Sequence, residues 1–172
     1  MRLSFLEKLL LGIIIALTCT AIYIGSWSAR SGEITFNADI ARDFLLFNEL
    51  DHDPIMLIGP RADYKGLFHG PAWLYVNYPA YLIGQGNPVA ISIYWVLLTM
   101  AVAALNYWIG MKLFDRLTGI IFSVLFITST MHYVNQFYNP TGAMFIAPLF
   151  IFCAYMYVKT QKLSYMLGQL FL

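Results

Sequence analysis

The residues best equipped for chemistry follow one another closely in this chain: Asn37-Ala-Asp-Ile-Ala-Arg-Asp43, then Arg61, Lys65 and His69. A positioned carboxylate that takes a proton in a reaction contributes about 10²–10⁴ in rate. Asp39 and Asp43 are the carboxylates of this run. Asp43 lies one helical turn on from Asp39 and could share the proton, hold a substrate or ligate a metal. A divalent metal stays open, because two carboxylates at i and i+4 are too few ligands to argue a site. Arg61, Lys65 and His69 carry donors that can hold an anion, since hydrogen bonds to charged groups are worth roughly 1.5–3 kcal/mol each.

Each of these residues also has a plainer use. Arg42 stands three residues after Asp39, and pairing with it contributes about 0.2–0.5 kcal/mol on an exposed helix; substrate binding is its alternative role. Arg61 and Lys65 could anchor lipid head groups, and His69, before Gly70 and Pro71, could hold a turn. His132 and Asn139 fall beside a second turn facing the same compartment, as a roof over the site or as helix-end residues.

These side chains need elements to hold them. Asn37 can cap a helix over residues 38–50, with Asp39 in its first turn where a carboxylate complements the positive helix end. Ile40, Phe44 and Phe47 then form an apolar stripe, with Asp39, Arg42, Asp43 and Glu49 around the other side. Such a helix lies flat on a membrane with its carboxylates above the head groups.

Composition supplies the membrane. Of 172 residues, 60% are hydrophobic and 11% charged, against about 25% charged in soluble domains, so much of the surface must face lipid. Ten Lys and Arg against nine Asp and Glu give no global field that would attract nucleic acid. Cys19 and Cys153 both sit in apolar runs, which reads as buried thiols and excludes a disulfide scaffold. No nucleotide loop, zinc spacing or Ser-His-Asp order is present.

Uncharged runs of about 20 residues cross about 30 Å of hydrocarbon, and the pattern yields four spans: residues 9–29, 88–111, 117–134 and 141–158. A cleavable signal peptide competes for the first, although its apolar core should be about 7–15 residues. Asn-Pro and Gly punctuation at 135–142 breaks the last stretch into a hairpin. Residues 70–84, interrupted by Pro71 and Pro79, are too short to cross and read as an interfacial segment. The basic pairs Arg2 and Lys8, Lys112 and Arg116, and Lys159 and Lys162 then share one side, which the positive-inside bias makes cytoplasmic, with the amino terminus. The loop 30–87 falls outside; its stretch from 28 to 65 holds seven of the nine acids. Trp27, Tyr75, Tyr78, Tyr81, Tyr133 and Tyr138 fall near the outer boundaries as an aromatic belt.

The ordered set Asn37–Asp43, Leu57-Ile-Gly-Pro60, Phe68-His-Gly-Pro-Ala-Trp-Leu-Tyr75 and Gly86-Asn-Pro-Val-Ala90 resembles the amino-terminal part of the GT-C superfamily of membrane glycosyltransferases, in the group related to protein O-mannosyltransferases and aminoarabinose transferases of lipid A. The resemblance covers roughly residues 10–140. It implies an all-α polytopic GT-C-like module that transfers a sugar from a polyprenyl-phosphate donor to a protein, glycan or lipid acceptor at the outer face, with inversion at the anomeric carbon. Asp39 would be the base, and Arg42, Arg61, Lys65 and His69 the substrate binders. Many relatives carry Asp-Glu where this chain has Asp39-Ile40, so any duty of the second acid passes to Asp43. Such enzymes run to several hundred residues, and a further apolar segment begins at Leu163, so the expectation is an amino-terminal portion. The rival class is a non-catalytic membrane subunit or scaffold whose acidic loop binds a partner; a transporter would want ionisable residues inside its spans.

Overall fold

The computed structural model describes residues 5–62, 64–136 and 139–170. Arg2, Asp63 and Tyr138 lie outside the described residues, and Asn139 is described only as the first residue of a helix. The described chain is helical, with eight α-helices: α1 Phe5–Gly25, α2 Trp27–Ser31, α3 Ala38–His52, α4 Ala72–Ile83, α5 Pro88–Leu113, α6 Arg116–Thr130, α7 Asn139–Thr160 and α8 Leu163–Leu170. A 3₁₀ turn, Met131–Asn135, extends α6. Three of the described helical segments are long and apolar enough to cross a membrane, Pro88–Leu113, Arg116–Asn135 and Thr141–Thr160, and the protein is read as a helical membrane protein on that basis.

Local chemistry sets most of the helix ends. Asn87 accepts from the Val89 amide at 2.9 Å and Pro88 follows as the first helical residue, where its missing N–H costs nothing. Asp115 accepts from the Thr118 amide at 2.7 Å to start α6. Those hydrogen bonds stabilise its ionised form and hold its carboxyl below the usual range. Gly110 and Gly119 let α5 and α6 touch backbone to backbone: a Cβ on Gly110 would come within 2.6 Å of the Gly119 Cα. Close approach of this kind is how helices gain packing energy in lipid, where burial from water contributes little.

The core gathers at the end of the bundle where α5 and α7 begin. Trp73 and Leu74 of α4, Ile91 and Trp95 of α5, Met131 and Val134 of the 3₁₀ turn and Phe145 of α7 are all buried there. Ser92 reaches across to the Val134 carbonyl at 3.0 Å. Helix α8 folds back on α7, with the Tyr165 ring edge-on to Phe152 at 6.3 Å.

Two expectations need correction, at the first span and at Cys19. The first span, expected over 9–29, is divided: α1 ends at Gly25 and α2 follows after Ser26. The reason is tertiary: a Cβ at Gly25 would fall 2.4 Å from the Met131 side chain, so the 3₁₀ turn meets the chain where a straight helix would have continued. The interfacial segment is a helix of 12 residues, about 18 Å long and too short to cross. Cys153 is buried, but Cys19 is exposed, because α1 packs along one side only and leaves most of its girth bare.

The expected cap of the outer helix is present: Asn37 accepts from the Ile40 amide at 2.9 Å, and α3 runs two residues further than expected, to His52. Asn37→Ala is expected to cost about 1 kcal/mol, read as a lowered unfolding midpoint in detergent.

Candidate functional site

The stripe on α3 packs as its spacing demands. Ile40 and Phe47 are buried, and the Phe44 and Phe47 rings meet Tyr81 of α4 at 5.8 and 5.3 Å. One member of the charged side does not behave as expected. Asp43 is only 2% exposed, whereas the helix pattern set it on the wet face beside Asp39. Its Oδ2 accepts from the Trp73 indole Nε1 at 2.8 Å, and its Oδ1 accepts from Arg42 Nη2 at 3.1 Å. A partner thirty residues away in sequence therefore draws this carboxylate inward.

Arg42 is the hub. Its Nη1 donates to Asp39 Oδ1 at 3.0 Å and to the Arg61 carbonyl at 3.0 Å. Asp39 keeps 52% of its side chain exposed, so this carboxylate is oriented on one side and open on the other. Burial raises the Asp43 pKa, the hydrogen bonds from Trp73 and Arg42 and the Arg42 charge pull it back, and the net result stays above 3.8.

That shift fixes a sign. A carboxyl raised by folding binds its proton more tightly in the native than in the unfolded state, so stability falls as pH rises from the ordinary carboxylate pKa through the raised one. Asp43→Asn keeps an acceptor for Trp73 and is expected to flatten that part of the profile, measured as unfolding midpoint against pH in detergent.

Arg61 and His69 belong to a hairpin between α3 and α4. The Gly59 amide donates to the His69 carbonyl at 3.1 Å, the His69 amide to the Pro60 carbonyl at 2.8 Å, and the Ala62 amide to the Leu67 carbonyl at 3.0 Å. Arg61 and Phe68 pair across it. Gly59 is required, because a Cβ there would come within 2.4 Å of the Gly70 carbonyl oxygen. Tyr75 pins the approach: its hydroxyl accepts from the Met56 amide at 2.7 Å and donates toward the Met56 and Pro54 carbonyls at 3.1 and 3.2 Å. Farther along α4 the Tyr78 hydroxyl donates to Asp51 at 2.6 Å, which stabilises the phenol and pushes its pKa up to about 12.

Beside the hairpin lies a cavity of about 580 Å³ between α4, α5 and α7, with His69 at its loop end and a wall of Trp73, Tyr94, Trp95, Leu98 and Phe145. Its size falls within the range of small-ligand sites, and its rim continues onto exposed Val76 and Ile146. The wall is fixed by a second polar relay: Asn77 donates to the Trp73 carbonyl at 2.9 Å and accepts from the Trp95 indole at 2.8 Å. The two indoles sit 5.2 Å apart. Gly142 lets the first turn of α7 rest on Trp73, since a Cβ there would lie 2.4 Å from the ring.

The structure thus joins Asp39, Arg42 and Asp43 to the backbone of Arg61, and joins Asp43 through Trp73 to the cavity that His69 borders. The side chains of Arg61 and Lys65 are exposed, and among the described residues the ion pairs are those of Arg42 with Asp39 and Asp43. The His132 ring lies tilted against Tyr133, centroids 3.8 Å apart, and His132 is not a cavity residue. No group of three or more His, Cys, Asp or Glu able to hold a metal occurs among the described residues. The sequence assigns no role to Trp73, Asn77 or Trp95, although Trp73 stands within the Phe68–Tyr75 stretch; the available signal is Asn77, a lone amide in an otherwise apolar run.

No protein family model, curated protein or solved structure matches the chain.

Proposed function

We propose that this protein is a membrane glycosyltransferase that moves a sugar from a polyprenyl-phosphate donor to a protein, glycan or lipid acceptor at the outer face of the membrane. The observation that carries the reading is Asp39: an exposed carboxylate oriented by Arg42, whose remaining hydrogen bonds run to buried Asp43 and to the hairpin bordering an apolar cavity. The acceptor O–H gives its proton to Asp39, the oxygen forms the new bond to the anomeric carbon from the face opposite the carrier, and the carbon–oxygen bond to phosphate breaks with its electron pair going to the phosphate. Arg61 and Lys65 are the cations that receive that charge, and the His69 imidazole donates a hydrogen bond to it. Asp43 serves this reaction as a positioning residue, since both of its oxygens are engaged.

The same reading takes α1 as a fourth crossing, its 21 residues spanning about 31 Å. Lys8, Lys112, Arg116, Lys159 and Lys162 then lie at one end and the acid-rich loop at the other, so the positive-inside bias puts Asp39 outside. Proteoliposomes containing the protein, supplied with radiolabelled sugars on polyprenyl phosphates, test the proposal: label must leave the carrier with the wild type and remain on it with Asp39→Asn.

A further inference from the structure

The hairpin joining α3 to α4 turns most of its apolar side chains outward, with Met56 packed on the core. Leu57 is 81% exposed, Tyr64 79% and Ile55 72%, and Ile58, Leu67 and Phe68 are exposed beside them. Scattered exposed apolar residues are ordinary, but a contiguous group on one short loop marks a surface that something covers.

The register of the bundle says what lies there. Helix α5 has 26 residues, about 39 Å against roughly 30 Å of hydrocarbon. Counting about 20 residues back from Lys112 brings the far hydrocarbon edge to the turn that carries Tyr94 and Trp95. Trp73, at the start of α4, lies against Trp95, while Gly84, just after the end of α4, lies against Ala90 in the first turn of α5. Helix α4 therefore descends toward the hydrocarbon as it is followed backward, and the hairpin attached to its first turn sits at the boundary. His69 and Gly70 border the same cavity as Leu98 and Val102, deeper still along α5.

The hairpin is built for that position. Its backbone closes on itself between Gly59 and His69, between Pro60 and His69 and between Ala62 and Leu67, and the Met56 amide is taken by Tyr75, which lowers the cost of leaving water. Arg61 and Lys65 are exposed, and Asp63 is the one acid between residues 54 and 70, so a positive balance meets phosphate head groups.

We propose that the hairpin 54–70 is a membrane-inserting element: Ile55, Leu57, Ile58 and Tyr64 enter the bilayer edge, with Arg61 and Lys65 at the level of the phosphates. The assignment stands on exposure and register and is independent of the sugar-transfer reading.

The test is depth measurement in vesicles of phosphatidylcholine and phosphatidylglycerol. An environment-sensitive dye is attached to Leu57→Cys, and separately to Glu49→Cys on the exposed part of α3, in a Cys19→Ala/Cys153→Ala background. Nitroxide-bearing phosphatidylcholine is expected to quench the dye at position 57 several-fold more than at 49, with aqueous iodide showing the reverse order and emission from 57 blue-shifted. Equal iodide quenching at the two positions would place the hairpin in water and overturn the proposal. Protection of position 57 from both quenchers would mean that a protein surface, from a second copy or a partner, covers it, and would overturn it as well. Leu57 is almost free of neighbours, so the substitution leaves the fold intact, checked by an unchanged unfolding midpoint.

Discussion

Asp39→Asn is expected to lower sugar transfer by about 10²–10⁴-fold, the contribution of a positioned general base, while the protein inserts and unfolds like the wild type. Structure makes this separation clean. Asp39 is half exposed and its polar partner among the described residues is Arg42, an exposed pair of the kind that contributes at most about 1 kcal/mol to stability. Asparagine keeps the shape and one acceptor for the Arg42 guanidinium but takes no proton. Carrier binding, measured as retention of a radiolabelled polyprenyl phosphate, should stay within about twofold, because the lost function belongs to the transition state. Unchanged transfer with normal folding would move the base elsewhere and leave the acidic loop as a partner-binding surface.

Trp95→Ala is expected to cost about 3–5 kcal/mol of stability. The side chain is 1% exposed and packs between Trp73 at 5.2 Å and Phe145 at 4.6 Å. Its indole N–H satisfies Asn77 Oδ1 at 2.8 Å. Truncation enlarges the adjoining cavity and strands a buried amide oxygen. Trp95→Phe keeps one aromatic ring in place but removes the N–H and the second ring, so a smaller loss is expected, of which the hydrogen bond accounts for about 1–2 kcal/mol. Unfolding by denaturing detergent, followed by loss of helical signal, measures both. A Phe variant as damaged as the Ala variant would assign the stability to the polar relay and not to packing.

The contrast between α3 and its surroundings shows which physics a sequence carries openly. The Asn37 cap, the Ile40–Phe44–Phe47 stripe and the Asp39–Arg42 pair all depend on residues within one or two turns, and all were legible. So were the apolar runs of α5, α6 and α7, because crossing hydrocarbon imposes a length and a composition on the chain itself. Asp43 was misjudged because its environment is decided by Trp73, which arrives from another helix; helical periodicity placed it correctly on the face beside Asp39, but a tertiary contact buried that part of the face. The break after Gly25 was hidden for the same reason, since the obstacle is Met131. The cavity could not be read at all: its wall is shared among α4, α5 and α7, and its shape rests on Gly142 having no Cβ to push against Trp73.

The backbone contact between Gly110 and Gly119 has a consequence for how the protein comes into being. Only Phe114 and Asp115 separate α5 from α6, so the loop that must close is about as short as a helical connection gets and its closure entropy is small. The pair needs nothing from α7 to close, so it forms a wedge against which α7, and with it Gly142 beneath Trp73, can settle.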